Sequence, residues 1–116
     1  MFFYFLNSNF LYIILDFFSG IKKVSKSYTK KFCNSIGFGL SKESSMNFSL
    51  KENNQVFNKR KEFKDINKEL LAEEIATEVV EKCGYPINLS GEQGILEFKS
   101  YYLSKDQESS EINQEN

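Results

Sequence analysis

The clearest hydrophobic pattern in the chain runs from Asp65 to Cys83. Leu71, Ala72, Ile75, Ala76, Val79, Val80 and Cys83 recur there at spacings of one, three and four. That period predicts a helix with one apolar stripe, and Lys68, Glu69, Glu73, Glu74, Glu78, Glu81 and Lys82 fall away from it. Asp65 or Asn67 can cap its start by accepting an orphan backbone N–H. At the other end Gly84 is expected in the left-handed conformation that stops a helix. Tyr85 would then reach back onto Val80, and Pro86 would prevent continuation.

A second helix is predicted after Ser90-Gly91-Glu92-Gln93, which has the Ser-x-x-Gln form of a capping box. Ile95, Phe98 and Tyr102 would share one face, flanked by Leu96 and Leu103. The linker from Gly84 to Leu89 is short enough to fold one helix back on the other. Upstream, Phe32, Ile36 and Leu40 repeat every four residues beside Cys33 and predict a short helix at 31–41. Gly37 and Gly39 each cost such a helix up to about 1 kcal/mol. The expected fold class is mainly α: a small helix–turn–helix pair within residues 62–103, with the 31–41 segment available as a third helix. An unaccompanied apolar stripe needs a partner surface. Leu71, Ile75, Val79, Ile95, Phe98 and Tyr102 are therefore the candidate interaction residues, toward a protein partner of unknown identity.

The two ends change this picture. Residues 1–20 form an apolar N-terminal segment, and positions 1–18 read MFFYFLNSNFLYIILDFF. As a membrane anchor the run is barely long enough and is interrupted by Asn7, Ser8, Asn9 and Asp16. As a signal peptide it lacks a basic start and a good cleavage site. It can also be read as upstream sequence translated from a wrongly chosen start, with Met46 as the alternative initiator. The C-terminal stretch 104–116 holds one apolar residue, Ile112, and is expected to be a disordered acidic tail. The region 21–61 is basic and rich in Ser and Asn, with Ser41 to Asn58 nearly as polar as the tail. About 50–60 residues are then left to build a core, a size of marginal stability.

Charge is divided along the chain. Residues 1–61 carry ten Lys/Arg and three Asp/Glu, whereas residues 62–116 carry five and thirteen. Lys22, Lys23, Lys26, Lys30 and Lys31 make a basic patch, with a second cluster at Lys59, Arg60 and Lys61. Such lysines attract phosphate or anionic lipid, so a membrane partner through residues 1–18 is one expectation and nucleic acid a weaker one. The strong preference for Lys, Asn, Phe and Ile matches AT-rich coding DNA, so position counts for more than abundance.

Candidate chemistry is sparse. With no histidine, a Cys or Ser nucleophile lacks its usual base, and transition metals lack a common ligand. No acidic pair is framed by apolar residues that would shift its pKa. The expectation is no enzyme, no catalytic residue, no metal and no cofactor. Cys33 and Cys83 make no Cys-x-x-Cys spacing; both lie among apolar neighbours, where free thiols act as small core residues, with a disulfide or a reactive thiol as the alternatives. Ser90 to Gly94 lacks the Lys-Ser/Thr of a phosphate loop. Phe98, Tyr101 and Tyr102 could stack bases, but their helical spacing in an acidic half favours packing.

Taken together, the stretch Cys83-Gly84-Tyr85-Pro86-Ile87-Asn88-Leu89-Ser90-Gly91, then Gly94-Ile95-Leu96-Glu97-Phe98 and Tyr102-Leu103, resembles a segment upstream of the catalytic domains of virus-like, Maverick/Polinton-type family-B DNA polymerases. Phe32 to Ile36 resembles the Cys-bearing box that precedes it there, and also the nucleophile helix of ovarian-tumour-type cysteine peptidases. The chain lacks that polymerase family's zinc motifs and metal-binding carboxylates. The resemblance therefore implies a truncated, non-catalytic remnant of a mobile-element or viral polymerase, and a spurious N-terminus would make the chain cytoplasmic or nuclear. The alternative is a membrane-tethered protein-interaction module, membrane-associated through its N-terminus.

Overall fold

The computed structural model describes residues 8–60 and 63–115, with side chains from residue 18 to residue 109. Four helices follow one another: α1 (Ser8–Gly37), α2 (Lys42–Phe57), α3 (Lys68–Cys83) and α4 (Gly91–Glu115), with a 3-10 turn at Tyr85–Ile87. The mainly helical class and the α3–α4 pair agree with the sequence pattern. Two further helices complete the bundle, and each has an identifiable local cause.

α1 contributes Ile21, Val24, Tyr28 and Phe32 to the core at spacings of three and four. The expected 31–41 helix is its C-terminal part, and it stops at Gly37. Gly39 adopts φ +95°, which costs glycine nothing and a Cβ-bearing residue a great deal. The Leu40 N–H donates to Ser35 O and the Gly39 N–H to Ile36 O, both at 3.0 Å. This is the paired C-terminal closure that the sequence suggested for Gly84.

α2 occupies the Ser/Asn-rich stretch that reads as too polar for a core. Ser41 caps it, its hydroxyl accepting the Ser44 N–H at 3.0 Å. Its buried face consists of Ser45, Met46, Ser49, Leu50, Asn53 and Phe57. Small hydroxyl residues four apart are what lies against the neighbouring helices there, so hydropathy alone does not reveal the face.

α3 begins at Lys68 rather than Asp65, because Asn67 is the cap and its Oδ1 accepts the Leu70 N–H at 3.1 Å. At its end Gly84 is right-handed, with φ −68°, and the left-handed residue is Asn88 at φ +58°. Pro86 sits in the 3-10 turn, where its lack of an N–H is harmless, and Tyr85 is 93% exposed instead of covering Val80. Glycine is nevertheless required at position 84. A Cβ there would lie 2.3 Å from Leu89 O and 2.5 Å from Val80 O.

Across the bundle α2 packs on α1, α1 on α3, α3 on α4, and α4 lightly back on α2. Lys22–Glu74 and Cys33–Cys83 show that α1 and α3 run parallel. Lys68–Asp106 and Lys99–Glu69 show that α3 and α4 run antiparallel. The centre is aromatic: Tyr28 meets Tyr102 edge-on at 5.3 Å and Phe32 meets Phe98 edge-on at 5.1 Å. The Tyr28 hydroxyl donates to Met46 Sδ at 2.8 Å. Burying each of these large side chains contributes about 1.5–3 kcal/mol. A chain started at Met46 would lack the α1 half of this centre.

α4 extends as helix to Glu115, into the segment 104–116 read from the sequence as a tail. Lys105 reaches Glu43 at 3.7 Å, and Asp106 reaches Lys68, so ion pairs hold the first turn of that segment to the body. Of the apolar start, residues 1–7 lie outside the described residues, and positions 8–20 are the first turns of α1. Among the described residues no helix is long and apolar enough to cross a membrane.

Gly84→Ala is expected to lower stability by about 2–3 kcal/mol, because the added methyl meets backbone oxygen on two sides. Urea unfolding followed by circular dichroism checks this. A change within about 0.5 kcal/mol, the scale of a neutral surface substitution, would contradict the close approach.

Candidate interaction surface

The residues first singled out for interaction are consumed inside the molecule. Ile75, Val79, Phe98 and Tyr102 are buried in the core cluster, and Leu71 and Ile95 are half-buried against it. Their partner is α1 and α2 of the same chain, so the stripe is not left for another protein. The sequence reading missed this because the covering helices carry their apolar residues among Ser, Thr and Lys.

The outward face of α1 is a different surface. Lys22, Lys26, Lys30, Asn34 and Phe38 follow at four-residue intervals and all are exposed, making one ridge along the helix. Lys22 is engaged by Glu74 of α3, and that contact raises its pKa, first through the hydrogen bond and then through Glu74's charge. Lys23 lies over the Phe63 ring at 5.9 Å. Lys31 points elsewhere: its Nζ donates to Ser27 Oγ at 2.6 Å and to Asn53 Oδ1 at 3.5 Å. Lys26 and Lys30 form no ion pair among the described residues. The basic patch is thus an outer row of Lys22, Lys23, Lys26 and Lys30, with Lys31 spent on the α1–α2 contact.

The ridge ends in an apolar depression of about 420 Å³ lined by Lys31, Asn34, Ser35, Phe38, Leu40 and Phe48. Phe38 is 85% exposed, Phe48 46% and Leu40 42%. The closure at Gly39 contributes to this: once α1 stops, Leu40 leaves the face it would have shared with Phe32 and Ile36, and Phe38 ends the exposed ridge. Phe48 sits on the opposite side of α2 from Met46 and Leu50. Three large apolar groups at one corner of a small domain mark a surface suited to a ligand or partner.

At the same end of α1, Cys33 and Cys83 are disulfide-bonded, with Cα atoms 5.7 Å apart. The free-thiol reading is corrected: helical spacing brings the two cysteines opposite each other on the parallel helices α1 and α3. The bridge ties the end of α1 that carries the depression to the end of α3. Closing a loop between residues separated by 50 positions stabilises the fold by about 4 kcal/mol in the chain-entropy account.

At the other end of the bundle a cavity of about 220 Å³ lies between helices and linker, lined by residues that include Val24, Asn53, Phe57, Phe63, Tyr102 and Asp106. Asn53 is committed to the fold, its Nδ2 donating to Val24 O at 3.3 Å. Burial, and then the Asp106 charge, raises the Tyr102 phenol; burial raises Tyr28 as well. Both therefore stay protonated and can only donate or accept hydrogen bonds. Glu78 on α3 is buried, with Oε2 unpartnered and Oε1 4.0 Å from Lys82 Nζ. Among the described residues no group of three or more His, Cys, Asp or Glu is placed to hold a metal ion.

Reduction of the bridged protein is expected to lower its stability by about 4 kcal/mol. The C33S/C83S variant should show the same loss and no further response to reductant. Free-thiol titration of the unreduced protein should read zero; two reactive thiols would contradict the bridge. Alkali provides a separate test. Folded-state pKa values of Tyr28 and Tyr102 above the unfolded value of about 10 give a contribution that is whole below that pH and lost as pH rises through and beyond it. Stability should therefore fall above about pH 10. Y102F should flatten the fall, as monitored by tyrosinate absorbance.

Against protein-family models, curated proteins and solved structures the chain finds no match, so the reading of this surface rests on its own residues.

Proposed function

We propose that the chain is a non-catalytic docking module that engages its partner through the outer face of α1 and the Phe38–Leu40–Phe48 depression. The observation that carries this reading is the corner itself. Three large exposed apolar side chains, Phe38, Leu40 and Phe48, surround one open depression. Lys31 lines it, and Lys30 lies one helical turn before Asn34 of its wall, so the surface suits a ligand that combines an apolar part with negative charge. Both thiols are held in a disulfide, and the buried tyrosines are held protonated, which leaves these groups unsuited to nucleophilic work.

The bridge supports a setting as well. Disulfides persist in oxidising surroundings and are rare in the reducing cytosol and nucleus. It favours the membrane-associated reading over the cytoplasmic or nuclear one expected from a spurious N-terminus.

An anionic apolar dye, anilinonaphthalene sulfonate, tests the corner directly. The native protein should bind it, and F38S/F48S should lose at least about tenfold in affinity with unchanged helix content, as expected when two apolar anchors are removed. A native protein that leaves the dye unbound would sink the docking reading.

A further inference from the structure

The charge on the outer face of α1 and the apolar groups at its C-terminal end point to one kind of occupant. We infer that this face docks on an anionic lipid bilayer, with α1 lying in the plane of the interface. The inference rests on the docking reading above and names its partner.

The ridge holds Lys26 and Lys30 one helical turn apart, with Lys23 beside them, and no carboxylate residue occurs in α1 after Asp16. Amino groups in such a row match a sheet of phosphate and carboxylate headgroups, which has no fixed register to satisfy. At the C-terminal end of the ridge Phe38, Leu40 and Phe48 stand out from the body. At its N-terminal end the same helix continues into positions 10–18, FLYIILDFF. α1 is 30 residues, or about 45 Å, whereas its parallel neighbour α3 has 16, or about 24 Å. With Lys22 opposite Glu74 and Cys33 opposite Cys83, α1 continues past the start of α3. No described helix is long and apolar enough to cross a membrane, whereas a basic ridge that ends in exposed apolar groups suits a helix lying on one.

The lysines of this face have no carboxylate on their own helix after Asp16, so the row attracts an anionic sheet. Lys22 is least available, since Glu74 holds it and the charges of Glu78 and Glu81 also act on it. The burden falls on Lys23, Lys26 and Lys30.

Co-sedimentation of the full, disulfide-bonded chain with vesicles tests the inference. Vesicles of phosphatidylcholine with about 30% phosphatidylserine should bind the protein, and phosphatidylcholine alone should bind it far more weakly. Raising salt from about 0.1 M to about 1 M should release most of it. K23A, K26A and K30A should each weaken partitioning about fivefold, the equivalent of ~1 kcal/mol per lysine. F38S/F48S should weaken it at least about tenfold at unchanged lysine content. Failure to bind anionic vesicles, or binding indifferent to these substitutions, overturns the inference. Salt-sensitive self-association without vesicle binding, abolished by K26E/K30E, assigns the face to a second copy and overturns it too. Dye binding at the corner in the absence of vesicle binding would leave the docking reading standing and remove only the bilayer. Each variant changes an exposed residue, and retained helical circular dichroism confirms that the fold is intact.

Discussion

Parallel docking of α1 on α3 is the arrangement on which every other contact depends. Two parallel helices cannot be joined by a short turn, so the chain must travel the length of the bundle before α3 can start. That return path is α2 and its linker, and α2 therefore runs antiparallel to α1, with Met46 beside Tyr28 and Asn53 beside Val24. The Cys33–Cys83 bridge holds the parallel pair at its far end, where the separation of 50 residues makes non-covalent closure entropically costly. The interior gives a reason for such a staple. Thr29, Ser45 and Ser49 bury hydroxyls that find no hydrogen-bond partner, each an unfavourable element of the core. A fold with that seam gains more from a covalent tie than one built of leucine.

Which helices were legible follows from how each uses its buried face. α3 was visible because its buried residues, Ala72, Ile75, Ala76, Val79 and Cys83, are apolar and its outer face is Lys and Glu. α4 showed the same contrast through Phe98 and Tyr102. α2 was invisible because Ser45, Ser49 and Asn53 do the packing, and hydropathy scores them as solvent-facing. The helix ends show a subtler limit. Gly39 and Gly84 are equivalent as letters, yet one is needed for a positive φ and the other for the closeness of the Leu89 carbonyl. Only the surrounding chain decides which kind of freedom a glycine supplies.

The candidate surface was half legible for the same reason. The four-residue spacing of Lys22, Lys26 and Lys30 is a property of the letters and survives into the structure. The apolar corner is not, because Phe32, Ile36 and Leu40 share a face only if the helix continues. The closure at Gly39 breaks that continuity: Phe32 goes to the centre, Ile36 is half-buried, and Leu40 turns outward beside Phe38, which ends the exposed ridge. A one-turn difference in where α1 stops converts core residues into surface ones. The disulfide lay hidden in the same way, since cysteines 50 positions apart carry no framework signal until α1 and α3 are known to be parallel.

The residues of the Cys83 to Leu103 stretch that carry the polymerase resemblance have local physical roles in this fold. Cys83 is bridged, Gly84 admits a carbonyl, Pro86 occupies a 3-10 turn, and Leu89, Phe98 and Tyr102 join the core. A tight helix–turn–helix return against a third helix asks for this set of residues by itself. The spacing is thus accounted for by packing before any ancestry is invoked. What packing does not account for is the outer face of α1: nothing in the bundle requires lysines at successive turns or phenylalanine at 85% exposure. Residues that the fold does not need, gathered along one ridge and at its end, are where an interaction with something outside the chain is to be sought.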